Sequence, residues 1–163
     1  MKTLLIVWHS RTGGTRQMVQ AAAEAARAQG EVEVRVLEAQ TAGAADLLAA
    51  DGYIFACPEN LAAMTGEMKA FFDRTYYPVL ERLNGRPHAA MICAGSDGSN
   101  AARQIARIAT GWRLKAVAEP LIVNTAAQTP EAILAEKHLD EAQLSPCVEL
   151  GAAMAAGLAL GVF

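Results

Sequence analysis

The sequence has 163 residues, of which 53% are hydrophobic and 19% charged, and its formal net charge is −3. This length and composition are typical of a single globular domain, 1–163, and exclude a disordered chain. The acidic and basic residues are interspersed and form no basic stripe, which argues against nucleic acid as a partner.

Five short apolar segments alternate with longer segments along the chain. The first, third and fourth are almost continuously apolar, as expected for parallel strands that are covered on both faces. The second, VEVRVL, alternates between apolar and charged residues, which favours a strand near the edge of a sheet. The predicted strands are Thr3–Trp8, Val32–Leu37, Gly52–Cys57, Ala89–Ala94 and Ala116–Val123.

The segments between the predicted strands carry apolar residues at helical spacing. This alternation predicts an α/β fold, a doubly wound five-stranded parallel sheet with helices on both faces. The residues themselves do not fix the order of the strands. The predicted helices are Thr15–Gln29, Ala44–Ala50, Thr65–Leu83, Asn100–Leu114, Glu131–Leu139 and Cys147–Leu160, the last beginning after Pro146.

The loop after the first strand, SRTGGT, combines three hydroxyl groups with two glycines and contains no lysine. Ligands of open parallel sheets bind beyond the carboxyl ends of the strands, and free amides at the start of a helix favour an anion. The motifs GxxxxGK[ST] and GxGxxG are absent. The loop therefore predicts a site for one terminal phosphate, which Arg11 or Arg16 could assist. The alternative is a plain turn in which Thr15 caps the helix.

This hexapeptide resembles the [ST]-x-T-G-x-T phosphate loop of flavodoxin-like proteins, which holds the phosphate of FMN. The resemblance implies the flavodoxin-like strand order 2-1-3-4-5. It also implies that the phosphate is bound by Ser10, Arg11, Thr12, Gly13, Gly14 and Thr15.

The segment after the third strand, CPENLAAMTGEMKAFFDRTYYP, is the most specific motif in the chain. It resembles the pattern SP-x-x-x-G-x-M-x-G-x-M-K-x-F-x-D-R of flavin-dependent NAD(P)H oxidoreductases and quinone reductases. Many of those proteins have an aromatic residue and a glycine where this sequence has ENLA. The resemblance implies that the flavin ring is surrounded by Pro58, Glu59, Asn60, Leu61 and Ala62.

Within that segment, Asn60 either donates to a ring carbonyl or is simply solvated. The apolar residues of the following helix are expected in the core or in a subunit contact. Asp73 and Arg74 are expected to be structural, in ion pairs or hydrogen bonds. Tyr76 and Tyr77 are candidates for an oligomer surface, because aromatic residues are enriched at interfaces.

The loop after the fourth strand, AGSDGSN, has two glycines and small polar residues. The resemblance places the other edge of the flavin here, against Gly95, Ser96, Asp97 and Gly98. The alternative is a turn followed by a helix that Ser99 or Asn100 caps.

Neither flavin loop contains an aromatic residue, so one face of the ring is expected to stay open for a nicotinamide. A net charge of −3 is also weak for a carrier that docks by electrostatic steering. These features favour an FMN-dependent NAD(P)H oxidoreductase that passes hydride to a quinone or similar small acceptor. The alternatives are a flavodoxin-type electron carrier and a flavin-free binding module of the same fold.

No catalytic acid or base and no metal site is predicted. His9 is expected to cap or pack beside the phosphate loop, and the alternative is a contact with the phosphate or the ring. His88 and His138 are expected at the surface. Cys57 and Cys93 are interpreted as small core residues, and a disulfide between them is not expected in a cytosolic chain.

The chain is predicted to be cytoplasmic and not inserted in a membrane. TLLIV is too short for a secretory signal, and the uncharged run Leu150–Phe163 falls short of the roughly 18 residues that span a bilayer. The family resemblance, together with the aromatic residues after the third strand, predicts a homodimer or homotetramer.

Overall fold

A central parallel sheet organises the computed structural model, which describes residues 1–163. Helices cover both faces of this sheet. The strands are β1 Lys2–Trp8, β2 Val32–Glu38, β3 Gly52–Asn60, β4 Ala63–Met64, β5 Pro87–Ala94, β6 Lys115–Ala116 and β7 Leu121–Asn124. The helices are α1 Gly14–Ala28, α2 Ala44–Ala49, α3 Gly66–Val79, α4 Ser99–Gly111, α5 Pro130–Leu134 and α6 Glu141–Leu160.

The parallel strands lie in the order β2-β1-β3-β5, and both β6 and β7 pair with the outer edge of β5. The predicted α/β flavodoxin-like fold is therefore confirmed, with β6 and β7 in the place of a single fifth strand. The prediction of one continuous strand from Ala116 to Val123 was wrong. Pro120 lies in the gap and has no N–H to donate to a ladder, so the edge strand is interrupted before Leu121.

The central strands bury both of their faces because alternate side chains point to opposite sides of the sheet. Leu5, Val7 and Phe55 pack with α2, α3 and α4, whereas Leu4 and Ile6 pack with α1 and α6. This arrangement explains the nearly unbroken apolar sequences of β1, β3 and β5. It directs the carboxyl ends of these strands to one edge, where the predicted ligand loops lie.

Helix α3 confirms the structural interpretation of its residues. Its methionine and phenylalanine side chains are fully buried in the core, and Asp73 pairs with Lys69 at 2.6 Å. The Arg74 guanidinium donates to the backbone carbonyls of Ala39 and Ala42. These bonds tie α3 to the segment between β2 and α2.

Helix α6 begins before the predicted start at Cys147. The Asp140 carboxylate accepts a hydrogen bond from the Gln143 amide at 2.8 Å, and the Gln143 side chain accepts one from the Asp140 amide. This reciprocal capping box fixes the start at Glu141 and leaves Pro146 inside the helix.

By length and composition alone, α6 would be long and apolar enough to cross a membrane. The sequence prediction counted only the uncharged run from Leu150, but the helix extends past Glu149 to Glu141. Mostly buried core helices of soluble proteins meet the same criterion, and 33% of the apolar window of α6 is buried in this structure. In this structure Cys147, Gly151, Met154 and Leu158 of α6 are buried, and they belong to the face that packs against α1 and the sheet.

Helices α1 and α6 approach each other closely at Gly151. A Cβ atom built on Gly151 would lie 2.0 Å from the backbone oxygen of Ala22, so only glycine fits. Because α1 follows the phosphate loop directly, this contact also fixes the position of that loop.

Candidate functional site

The loop between β1 and α1 presents unpaired backbone amides. Gly13 adopts a left-handed conformation, φ +95°, which favours glycine, and its amide donates to the Ser10 hydroxyl at 3.1 Å. Other amides around the turn donate to no backbone carbonyl: those of Ser10, Arg11, Thr12, Gly14, Thr15 and Arg16. An anion placed at this helix start would find several free donors together with the positive end of the helix dipole.

Thr15 does not cap α1, so the alternative structural interpretation of this residue was wrong. Gly13 occupies the N-cap position, and Thr15 lies inside the first turn with 1% of its surface exposed. Its hydroxyl group has no hydrogen-bond partner in the protein. A buried hydroxyl without a partner is unfavourable, and a phosphate oxygen would supply the missing acceptor. The loop therefore fits a phosphate monoester.

A segment from the far end of the chain covers this loop. The Lys137 amide donates to the Thr12 carbonyl at 2.8 Å, and the Lys137 ammonium lies 3.2 Å from the Thr12 hydroxyl. The Gln17 side chain donates to the carbonyls of both Gly13 and Lys137, and it accepts from the amide of Leu139. The phosphate loop has no lysine of its own, but tertiary structure brings one to it.

The second ligand loop is a tight hairpin between β3 and β4, in which Asn60 pairs with Ala63. Leu61 and Ala62 form its tip with left-handed φ angles of 50° and 61°. Glycine and asparagine are the usual residues in such turns, so leucine and alanine make this tip strained. The hairpin therefore places Pro58–Ala62 as one wall beside the sheet edge.

Glu59 connects this hairpin to the third ligand loop. Its carboxylate accepts hydrogen bonds from the amides of Gly98 at 2.9 Å and Ala101 at 3.0 Å, at the start of α4. A carboxylate at a helix N-terminus satisfies free amides and complements the helix dipole. The carboxylate of Glu59 is thus engaged with α4.

The third loop, between β5 and α4, approaches a neighbouring backbone at Gly95. A Cβ atom built there would lie 2.5 Å from the Ala127 carbonyl oxygen, so a larger residue would push the loops apart. Gly98 is the N-cap of α4, so the alternative of a cap at Ser99 or Asn100 was wrong. The Asp97 carboxylate instead accepts from the Ser99 amide at 3.1 Å. Hydrogen bonding to the Ser99 side chain, and then to its amide, lowers the pKa of Asp97.

The three loops line two adjoining cavities. One, of about 490 Å³, lies between the hairpin and the third loop and contains no aromatic side chain. The predicted site residues that line it are Arg11, Thr12, Pro58, Glu59, Asn60, Leu61, Ala62, Gly95 and Ser96. Sequence reasoning missed seven further lining residues, which are Cys93, Ala94, Thr125, Ala127, Ile133, Leu134 and Lys137.

The second cavity, of about 460 Å³, lies on the other side of the phosphate loop and shares Arg11 and Thr12 with the first. Its remaining lining consists of Trp8, His9, Ser10, Gly13, Arg16, Glu38, Gln40, Leu134 and Glu136. Four predicted site residues, Gly14, Thr15, Asp97 and Gly98, line neither cavity. They belong to the adjoining turns and helix starts.

Comparison with known proteins identifies the family. Residues 38–128 match the family model described as NADPH-dependent FMN reductase. The chain belongs to the NADPH-dependent FMN reductase family. The matched region contains the second and third ligand loops and begins after the phosphate loop.

Two curated relatives of this chain carry different names. A flavodoxin from Aquifex aeolicus is 32% identical over 98 residues, which cover 60% of this chain and 53% of the relative. An NAD(P)H dehydrogenase (quinone) from Acidithiobacillus ferrooxidans is 33% identical over 46% of this chain and 48% of the relative. The chain thus spans about half the length of these curated relatives.

Solved structures agree on the fold. An archaeal flavodoxin superposes with a TM-score of 0.77 at 18% identity, over 96% of this chain and 98% of the other. A WrbA-like flavodoxin from Agrobacterium tumefaciens superposes with a TM-score of 0.75 at 18% identity, over 99% of both chains. At this identity the comparison establishes the shared fold alone.

His9 links the phosphate loop of this family member to α3. Its Nδ1 lies 3.0 Å from the Thr65 hydroxyl, and its Nε2 lies 3.7 Å from the Glu67 carboxylate. Burial lowers the pKa of His9, and Arg11 lowers it further, whereas Glu67 and Glu38 oppose this shift. The imidazole is therefore neutral at pH 7. It packs against α3 through these contacts and also lines the second cavity.

Among the remaining histidines and cysteines, Cys93 lines the larger cavity, and burial raises the pKa of its thiol. His138 is exposed as predicted, but His88 is only 6% exposed, because it lies on the central strand β5. Cys57 and Cys93 contribute to opposite faces of the sheet. Burial raises the pKa of Cys57 to about 12, so its thiol stays protonated. No group of three or more potential metal ligands is present.

Proposed function

We propose that this protein is an FMN-dependent NAD(P)H oxidoreductase that passes hydride to a quinone or similar small acceptor. Bound FMN would supply the centre that accepts and then donates the hydride. The observation that carries the proposal is that a candidate phosphate site and a candidate ring cavity adjoin each other at one edge of the sheet. Free amides and an unpartnered hydroxyl at Thr15 suit a phosphate, and an adjoining cavity of about 490 Å³ suits a ring.

The residues of the chain bind and orient the cofactor in this proposal. The first loop, Ser10–Thr15, would hold the phosphate, while Pro58–Ala62 and Gly95–Gly98 would contact opposite edges of the ring. The carboxylate of Glu59 holds those two loops together through its bonds to α4. No side chain is assigned as a catalytic acid or base.

The composition of the larger cavity supports a reductase over an electron carrier. No aromatic side chain lines it, so none of its lining residues would stack over the ring and close its outer face. Leu61 and Leu134 border the opening and are 93% and 71% exposed. An apolar, flat acceptor such as a quinone would bury these side chains as it reaches the ring.

The decisive experiment is a visible spectrum of the purified protein after FMN is added, recorded anaerobically before and after NADH or NADPH. The proposal expects an FMN-bound spectrum, rapid bleaching by at least one nicotinamide, and reoxidation by a quinone. Bound FMN that neither nicotinamide reduces would favour the electron carrier, for which the Aquifex flavodoxin is a precedent in name. Failure to bind FMN would favour a flavin-free module.

We also propose that the protein is cytoplasmic and assembles as a homodimer or homotetramer. Tyr77 is 78% exposed and packs edge-on against Tyr76, so an aromatic surface lies free on α3. Light scattering tests the assembly, and a Tyr77→Ser variant should shift it toward the monomer. A wild-type protein that is monomeric at micromolar concentration would contradict this part of the proposal.

A further inference from the structure

We propose that Lys137 supplies the positive charge for the phosphate of the bound cofactor, a charge that the Ser10–Thr15 loop lacks in its own sequence. This inference rests on the proposed FMN site and assigns it a further binding residue. Lys137 is distant from the loop in the chain, 125 residues from Thr12.

The Lys137 ammonium is held in place by backbone oxygens. It donates to the carbonyls of Ala132 and Ile133 at 2.9 Å and to that of Ala135 at 2.6 Å. These carbonyls lie at the end of α5, where a cation complements unpaired oxygens. The Thr12 hydroxyl is the most distant acceptor, at 3.2 Å.

An ammonium group has three N–H donors, whereas Lys137 Nζ has four oxygen acceptors within reach. At least one donor is therefore shared, and the long contact to Thr12 is the weakest. A phosphate oxygen beside Thr12 could take over that donor without breaking the carbonyl contacts. The resulting charge-assisted bond would be stronger than the one it replaces.

The backbone also holds Lys137 beside the phosphate loop. Its amide donates to the Thr12 carbonyl at 2.8 Å, and its carbonyl accepts from the Gln17 side chain at 2.6 Å. The same Gln17 amide group donates to Gly13 within the loop. The ammonium is thus preorganised, and little conformational entropy is lost when an anion binds.

The arginines near the loop are placed differently. Arg16 lines only the second cavity, and its guanidinium lies 3.9 Å from the Glu136 carboxylate. Arg11 lines both cavities but makes no hydrogen bond in this structure, so its side chain is not held toward the loop. Arg16 also lies beside the loop, because a Cβ built on Gly13 would lie 3.3 Å from its guanidinium. Lys137 is the cation that contacts a side chain of the loop, the Thr12 hydroxyl.

Comparison of FMN with riboflavin tests the proposal, because the two ligands differ only in the phosphate. Fluorescence titration would give the Kd of each ligand for the wild type, Lys137→Gln, Lys137→Arg and, as a matched control, Lys115→Gln. Lys115 is exposed on β6 at the opposite end of the sheet. We expect Lys137→Gln to weaken FMN roughly tenfold and riboflavin less than twofold. Lys137→Arg should keep most of the FMN affinity, and Lys115→Gln all of it.

Several outcomes would overturn the assignment. An equal loss of both ligands in Lys137→Gln would mean that the residue only positions the segment, and no loss would mean that it does not reach the phosphate. An FMN-selective loss in Arg11→Gln, with none in Lys137→Gln, would assign the charge to Arg11. A wild type that binds neither ligand would instead refute the proposed function.

A labelling experiment on the unmodified protein covers the case in which Lys137→Gln does not fold. Amine acetylation followed by peptide mass spectrometry measures the reactivity of each lysine. FMN should protect Lys137 severalfold more than riboflavin does, and neither ligand should change the labelling of Lys115. Equal protection of Lys137 by the two ligands would contradict a phosphate contact.

Discussion

Substitution of Gly151 by alanine would test the packing that fixes helix α1 and the phosphate loop. The added Cβ would lie 2.0 Å from the Ala22 oxygen and 2.6 Å from the Ala22 carbonyl carbon. Ordinary contacts of this kind begin at 3.4 Å, so α1 and α6 would have to separate by more than about 1 Å. The obstacle is backbone, which no side-chain rotation can move aside.

The cost can be estimated from two opposing effects. Overpacking of a core costs about 1–3 kcal/mol or more, and the rigid backbone places Gly151→Ala toward the upper end. Alanine recovers about 1 kcal/mol because it favours the helix over glycine. The net loss is about 2 kcal/mol, which for a chain of this length lowers Tm by about 4–8 °C.

Urea unfolding and thermal melting measure this loss directly, and Gly66→Ala is the matched control. Gly66 is the first residue of α3, and a Cβ built there meets nothing within 4 Å. We expect the control to equal the wild type or exceed it by less than about 1 kcal/mol. If Gly151→Ala is as stable as the wild type, the close approach of α1 and α6 is refuted.

Three further substitutions test the site and its surroundings. Thr15→Val removes the hydroxyl without a partner, so the free energy of unfolding of the cofactor-free protein should rise by about 1 kcal/mol. FMN affinity should fall roughly tenfold while riboflavin affinity stays constant, and equal losses for both ligands would contradict a phosphate contact. Glu59→Ala removes both hydrogen bonds to α4 and should lower the free energy of unfolding, measured with urea, by about 2 kcal/mol. Glu59→Gln keeps one acceptor and should lower it by about half as much, and an Ala variant of wild-type stability would refute the capping role. Burial lowers the pKa of His88 below its ordinary 6.5, so the unfolded chain takes up the proton first and stability should fall as the pH drops below about 6.5. Urea unfolding of His88→Leu should show a shallower fall with pH, and an unchanged pH profile would exclude His88 as a contributor.

The sequence by itself determined the fold class and the location of the three ligand loops. Unbroken apolar strands such as TLLIV, separated by helical segments, specify a parallel sheet covered on both faces, because strands buried on two sides cannot alternate with polar residues. The carboxyl ends of such strands share one edge, so SRTGGT, PENLA and GSDG are expected to be neighbours without any knowledge of coordinates.

Tertiary structure alone decided which side chains meet at those loops. Contacts between segments that are distant in the chain produce the engagement of Glu59 with α4, the burial of Thr15 and the approach of Lys137. Local sequence encodes turns and helix starts through short-range sterics and hydrogen bonds, whereas these contacts arise only when packing brings remote segments together. The loop that lacks a lysine in sequence therefore has one in space.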